Sequence, residues 1–103
     1  MILEVAEIDI KAGSMSAFEP ALREAVELLH QAHGFQGCEI LRSVEVPDRY
    51  RLLVRWDSVE SHITGFQKSP LFQQWRQLLG GYFARTPSVE HMQYLSSPVG
   101  AAR

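Results

Sequence analysis

From Ile2 to Lys11 the chain alternates with a period of two. Ile2, Glu4, Ala6, Ile8 and Ile10 fall on one side, and Leu3, Val5, Glu7 and Asp9 on the other, which is the pattern of a strand. Gly13 and Ser14 interrupt it, and the period then lengthens. Phe18, Leu22, Ala25, Leu29 and Ala32 recur at helical spacing, so a helix with one apolar face follows. Ser16 and Glu19 have the spacing of a capping box, and Pro20 falls in the first turn that such a start implies. Gly34 is placed to end the helix in the left-handed conformation.

Two further apolar runs, 38–46 and 50–57, flank Pro47-Asp48-Arg49 and predict a hairpin. Asp57 or Ser58 can cap the helix that follows, whose apolar positions are Val59, Ile63 and Phe66. Ser69-Pro70 opens another, with Leu71, Phe72, Trp75, Leu78 and Leu79 on its apolar face, and Gly80-Gly81 stops it. A last strand is predicted over 88–95. The order β-α-β, β-α-β, with the second crossover broken into two short helices, predicts an α+β, ferredoxin-like sandwich. Its four-stranded antiparallel sheet carries helices on one face. One domain over 1–96 and a flexible tail over 97–103 follow.

That sheet leaves a second face to be covered. Leu3, Val5, Leu41 and Leu53 lie on it, ringed by Glu7, Asp9, Glu39, Arg51 and Arg55. Each aliphatic left open forgoes roughly 1.5–3 kcal/mol of burial. A two-fold dimer, sheet against sheet, is the simplest closure.

Composition narrows the function classes. The 103 residues are 46% hydrophobic and 21% charged, which excludes a disordered chain. A net charge of −2 gives no basic footprint for nucleic acid. No apolar run has the ~18 residues of a membrane span, and Glu4, Glu7 and Asp9 within the first strand argue against a leader. A cytoplasmic location is expected. The single cysteine, Cys38, allows no internal disulfide and reads as an inert thiol. Charge is uneven: positions 1–48 hold three basic and nine acidic residues, and 49–103 hold seven basic and three acidic. This asymmetry is expected to help the halves pack together.

Candidate chemistry concentrates in the second half. Six of ten aromatics, Trp56, Phe66, Phe72, Trp75, Tyr82 and Phe83, lie between 56 and 83. They are either core or the walls of an apolar pocket. His62, one turn before Phe66, can face that pocket as a base or lie at the surface. Glu4 shares its face with aliphatics, so burial would raise its pKa and make it a second candidate base, unless the strand end reaches water. Arg76 can hold an anionic oxygen or decorate its helix. His30 and His33 lack a completing ligand set and read as helix-end residues. No phosphate loop, nucleophile elbow or dinucleotide fingerprint is present.

Several segments in this order resemble the antibiotic-biosynthesis monooxygenase family. They are Val5-Ala6-Glu7-Ile8 leading to Gly13, Gly37-Cys38 opening the second strand, and Trp56-Asp57-Ser58-Val59-Glu60-Ser61-His62 passing from strand to helix. Phe66-Gln67-Lys68-Ser69-Pro70-Leu71-Phe72-Gln73-Gln74-Trp75 completes the pattern. The resemblance implies a dimeric α+β barrel. It also implies oxidation of a small phenol, anthrone or quinol by dioxygen without metal or flavin, through an electron-rich substrate anion. On that reading Trp56, Phe66, Phe72 and Trp75 are walls, His62 is the leading base, Glu4 is the second, and Arg76 holds the anion. The haem-degrading relatives of that superfamily use an Asn, a Trp and a His at the positions of Ala6, Phe66 and Arg76, so haem ligation is not expected. Ala6 remains a candidate substrate contact. The alternative is a non-catalytic, ligand-binding or stress-associated dimer of the same fold.

Overall fold

The computed structural model describes residues 1–96 and 98–100. It contains β1 (Ile2–Asp9), α1 (Met15–Glu27), β2 (Phe35–Arg42), β3 (Arg49–Trp56), α2 (Pro70–Leu79) and β4 (Ser88–Gln93). A 3-10 turn (Leu28–Gln31) extends α1, a π-helical segment (Ser61–Phe66) precedes α2, and a 3-10 turn (Gly80–Tyr82) follows it. The sheet order is β2-β3-β1-β4, with every neighbouring pair antiparallel. This is the predicted ferredoxin-like arrangement, with the helices on one face.

The inner face is dry because the two central strands supply it. Ala6, Ile8, Tyr50, Leu52, Val54 and Trp56 are all buried beneath Phe18, Leu22, Ala25 and Leu29. The Phe18 ring packs on Tyr50 at a centroid distance of 5.0 Å. Tyr50 donates its hydroxyl proton to Glu19 Oε2 at 2.7 Å, tying β3 to α1. Burial and that carboxylate push the Tyr50 hydroxyl up to about 12.

Local signals were shifted where a neighbouring element dominates. The helix starts earlier than the capping box implied: Ser14 is the N-cap, its carbonyl accepting from Phe18 N–H at 2.8 Å, and no side chain caps it. Glu19 is instead turned to Tyr50 and Arg42. Pro20 therefore lies beyond the first turn. The hairpin is also displaced. Strand β2 runs from Phe35 to Arg42, so 43–46 belong to the loop, where Val44 is 93% exposed. Ser43 closes that loop, its N–H donating to Arg49 O and its Oγ accepting from Val46 N–H. Strand β4 ends at Gln93 rather than at 95. Most of the tail expected over 97–103 lies outside the described residues.

Gly34 has φ +84, and a Cβ there would strike Asp57 Oδ1 and Ser61 Oγ. The backbone at this point passes directly over the start of the second crossover, with Asp57 N–H donating to Gly34 O at 2.9 Å. Only glycine fits.

On the outer face, Leu3, Val5 and Leu53 are half-buried, while Leu41 and Met92 are 48% and 50% exposed. The charged rim is internally paired. Arg51 meets Glu7, Arg49 meets Asp9, and Arg55 meets Glu39. Each of these pairs joins the acidic half of the sequence to the basic half.

Candidate functional site

Between the sheet and the second crossover lies a cavity of about 570 Å³. Glu4, Ala6 and Ile8 of β1 form its floor with Leu52 and Val54 of β3. Phe66, Phe72 and Trp75 form the walls, and Arg76, Arg85 and Thr86 bring polar groups to it. Phe66 organises the walls, its ring meeting those of Phe72 and Trp75 edge-on at 5.6 and 5.8 Å.

The crossover opens with Ser58, whose Oγ accepts from Ser61 N–H at 3.1 Å, and so it provides the cap expected of Asp57 or Ser58. The helix then widens: Gln67 N–H donates to His62 O at 2.9 Å, a five-residue step. A π turn of this kind brings residues five apart onto one side, so His62 and Gln67 both reach the cavity. At α2, Ser69 occupies the N-cap and Pro70 the first turn as expected. The Ser69 hydroxyl, however, donates back to Phe66 O at 2.7 Å instead of capping.

The floor holds a buried polar chain. Glu4 is 7% exposed and His62 3%. Trp56 Nε1–H donates to Glu4 Oε1 at 2.9 Å. His62 Nε2 lies 3.3 Å from the same oxygen, and His62 Nδ1 lies 2.8 Å from His91 Nε2. The Trp56 indole stacks on the His62 ring at 5.4 Å and 20°. Burial raises Glu4 from 4.5 to about 7, against the opposing pull of the Trp56 hydrogen bond. Burial, reinforced by His91, lowers His62 from 6.5 to about 4. The pair is therefore a neutral imidazole beside a carboxyl that ionises near neutrality, and not an ion pair.

Of the residues singled out from sequence, Glu4, Ala6, His62, Phe66, Phe72, Trp75 and Arg76 all line this one cavity. Trp56 does not. It is fully buried behind Glu4 and His62, so its role is to hold the carboxyl rather than to form a wall. Sequence reasoning missed His91, Gln67 and Arg85. His91 faces Glu4 only because β4 pairs with β1 in the register Glu4↔His91, and Gln67 is reached only by the π step. His30, one of the helix-end histidines, lies 3.7 Å from Glu27.

Among the described residues no group of three or more His, Cys, Asp or Glu side chains is placed to hold a metal ion. None of their helices is long and apolar enough to cross a membrane. Cys38 is half-buried, and burial raises its thiol, as suits an unreactive side chain.

The family model for antibiotic biosynthesis monooxygenase matches residues 1–78. The uncharacterized protein YczJ of Bacillus subtilis is 34% identical over 93 residues, covering 90% of this chain and 98% of that one. A crystal structure from Bordetella bronchiseptica, named "Putative antibiotic biosynthesis monooxygenase", is 39% identical with a TM-score of 0.89, covering 92% of this chain and 97% of the other. SnoaB, a cofactor-independent oxygenase from Streptomyces nogalater, has a TM-score of 0.78 at 14% identity, covering 93% and 94%. At that identity the likeness is one of fold.

Proposed function

Because the chain belongs to the antibiotic biosynthesis monooxygenase family, we propose that it is a cofactor-independent monooxygenase acting on a small phenol, anthrone or quinol. The observation that carries this reading is the Glu4 carboxyl, buried on the floor of an aromatic-walled cavity and ionising at about 7. A base whose pKa lies near the working pH combines a populated ionised form with useful driving force. Glu4 therefore takes the role expected first of His62, whose depressed pKa makes it the weaker acceptor. A volume of about 570 Å³ lies in the range of small-molecule sites.

For an anthrone the reacting group is the ring CH₂. Glu4 removes a proton, and Arg76, which makes no ion pair among the described residues, holds the resulting oxyanion. The electron-rich ring carbon reduces dioxygen and forms a C–O bond. The peroxide takes the proton back from Glu4. Cleavage of the O–O bond with loss of the remaining C–H proton gives a carbonyl and water. Dioxygen receives the four electrons that the CH₂-to-carbonyl oxidation releases, and no further reductant is required. The apolar walls keep water from the anion.

The same reading includes a homodimer through the outer sheet face, with Leu3, Val5 and Leu53 at its centre. Aerobic incubation with a panel of anthrones and hydroquinones, followed by an oxygen electrode, tests the activity. Uptake that survives chelators and needs no added flavin supports it. Tight binding of these compounds without oxygen uptake would replace it with the ligand-binding alternative.

A further inference from the structure

We propose that Glu4, His62 and His91 form a proton relay between the cavity floor and solvent at the β4 edge of the sheet. It deepens the proposed function and rests on it only for the use to which the Glu4 carboxylate is put.

Glu4 is 7% exposed and lines the cavity, and an aromatic ligand filling the cavity would cover it. A proton on its carboxyl then needs another route. His62 offers one because its two nitrogens are divided between two partners on opposite sides of the ring: Nε2 toward Glu4 at 3.3 Å, and Nδ1 toward His91 at 2.8 Å. An imidazole used in this way transmits a proton, accepting at one nitrogen while releasing from the other. It does not chelate, since no single ion can meet both nitrogens. His91 is half-buried on an edge strand, so the outer end of the chain reaches water. It lies opposite Glu4 in the β1–β4 ladder and so shares the helix side of the sheet with it.

His62 Nε2 and Glu4 Oε1 are in contact at 3.3 Å without an aligned hydrogen bond, and two protonation states of the chain become fully hydrogen-bonded once that contact closes. In the protonated state the Glu4 hydroxyl donates to His62 Nε2, and His62 Nδ1–H donates to His91 Nε2. In the ionised state His91 Nε2–H donates to His62 Nδ1, and His62 Nε2–H donates to the Glu4 carboxylate. They differ by one proton, lost from His91 Nδ1, and by a switch of tautomer in both rings. The change is not free, since ionising the buried carboxyl carries the desolvation cost that raises its pKa. Trp56 Nε1–H donates to Glu4 in both. The other polar groups lining the cavity are Gln67 from the π-helical segment, Arg76 from α2, and Arg85 and Thr86 from the segment before β4. Gln67 Nε2 is hydrogen-bonded to His62 Nε2 at 3.4 Å and can donate to it only while that nitrogen carries no proton, so this bond is exchanged for the Glu4 one in the ionised state.

Histidine ¹⁵N spectra of the full chain, recorded from about pH 5 to about pH 9 to span the carboxyl titration, test the relay without a substrate. His62 is expected to carry its proton on Nδ1 at the acid end and on Nε2 at the alkaline end, the change following Glu4. Glu4→Gln should remove the switch. A ¹⁵N–¹⁵N coupling from His62 Nδ1 to His91 Nε2 should be visible on both sides. One His62 tautomer throughout the titration overturns the proposal. In a second arm, His91→Ala should slow oxygen uptake from an anthrone or hydroquinone, in kcat rather than KM, by part of the ~10²–10⁴-fold that a positioned base contributes. Added imidazole should restore it, and failure of that rescue also overturns the relay. His91→Gln keeps a group that can accept from or donate to His62 Nδ1 but cannot pass a proton, so it should fold, keep the tautomer change and lose kcat as His91→Ala does. If wild-type protein oxidises none of these compounds, the proposed function fails, while the tautomer switch still decides the relay.

Discussion

Trp56 and Glu4 are joined by a hydrogen bond of 2.9 Å from the indole N–H to a carboxyl oxygen, with the indole wholly buried. A residue near the start of β1 is thereby fixed by one at the end of β3, 52 positions later in the chain. The bond lowers the carboxyl's pKa while burial raises it, and burial prevails. Trp56→Phe removes the donor and keeps a ring. The loss is expected to cost ~1–3 kcal/mol of stability and to move Glu4 still higher, read from urea unfolding and from ¹³C-carboxyl NMR. An unmoved carboxyl titration would deny Trp56 its holding role.

Glu4→Gln changes how stability depends on pH. Folded Glu4 binds its proton more tightly than the unfolded chain, about 7 against 4.5. Its contribution is therefore complete below about 4.5 and is lost as pH rises to about 7. His62 has the opposite sign, adding stability as pH rises from about 4 to 6.5. The two slopes oppose each other in the wild type. Relative to the wild type, Glu4→Gln should gain stability on the order of 3 kcal/mol across the carboxyl window. Denaturant midpoints at the two ends of that window measure it, and a constant difference would contradict the raised carboxyl.

Arg76→Ala should weaken binding of an anionic phenol while leaving the fold intact. One charge-assisted hydrogen bond is worth ~1.5–3 kcal/mol, or roughly 10- to 150-fold in affinity. Fluorescence titration with a phenolate, and with its neutral methyl ether as control, checks this. Equal losses for both ligands would place Arg76 outside the anion contact.

Leu53→Glu puts a carboxylate at the centre of the outer sheet face, opposite Val5 on one side and Glu39 on the other. Sedimentation velocity should show a wild-type dimer and a variant monomer. A wild type that stays monomeric at micromolar concentration removes the dimer from the proposed function.

Gly34→Ala tests the junction between the first crossover and the second. The substitution combines a left-handed φ of +84 with a collision against Asp57 and Ser61, and should cost ~1–3 kcal/mol. Gly13→Ala shares the positive φ but meets nothing within 4 Å, so it isolates the backbone share of the cost. Equal losses in the two variants would leave the collision without effect.

The order of elements is readable in the chain alone and determined there, because the change of period from two to nearly four is a local property of each segment. So are the buried face of β1, including Glu4 among the aliphatics, and the crowding of aromatic rings after Trp56. The ionic rim was legible too, since an acidic first half and a basic second half become opposing strands. Tertiary structure alone decided where Glu19 points, because a long-range bond to Tyr50 outcompetes a local cap. It decided that Trp56 stands behind the cavity rather than in its wall. Above all it decided which of two candidate bases ionises near neutrality. Glu4, His62 and His91 lie at positions whose proximity depends on strand register and on one widened helical turn. Their proton affinities follow from burial and mutual contact, which no spacing in a linear chain encodes.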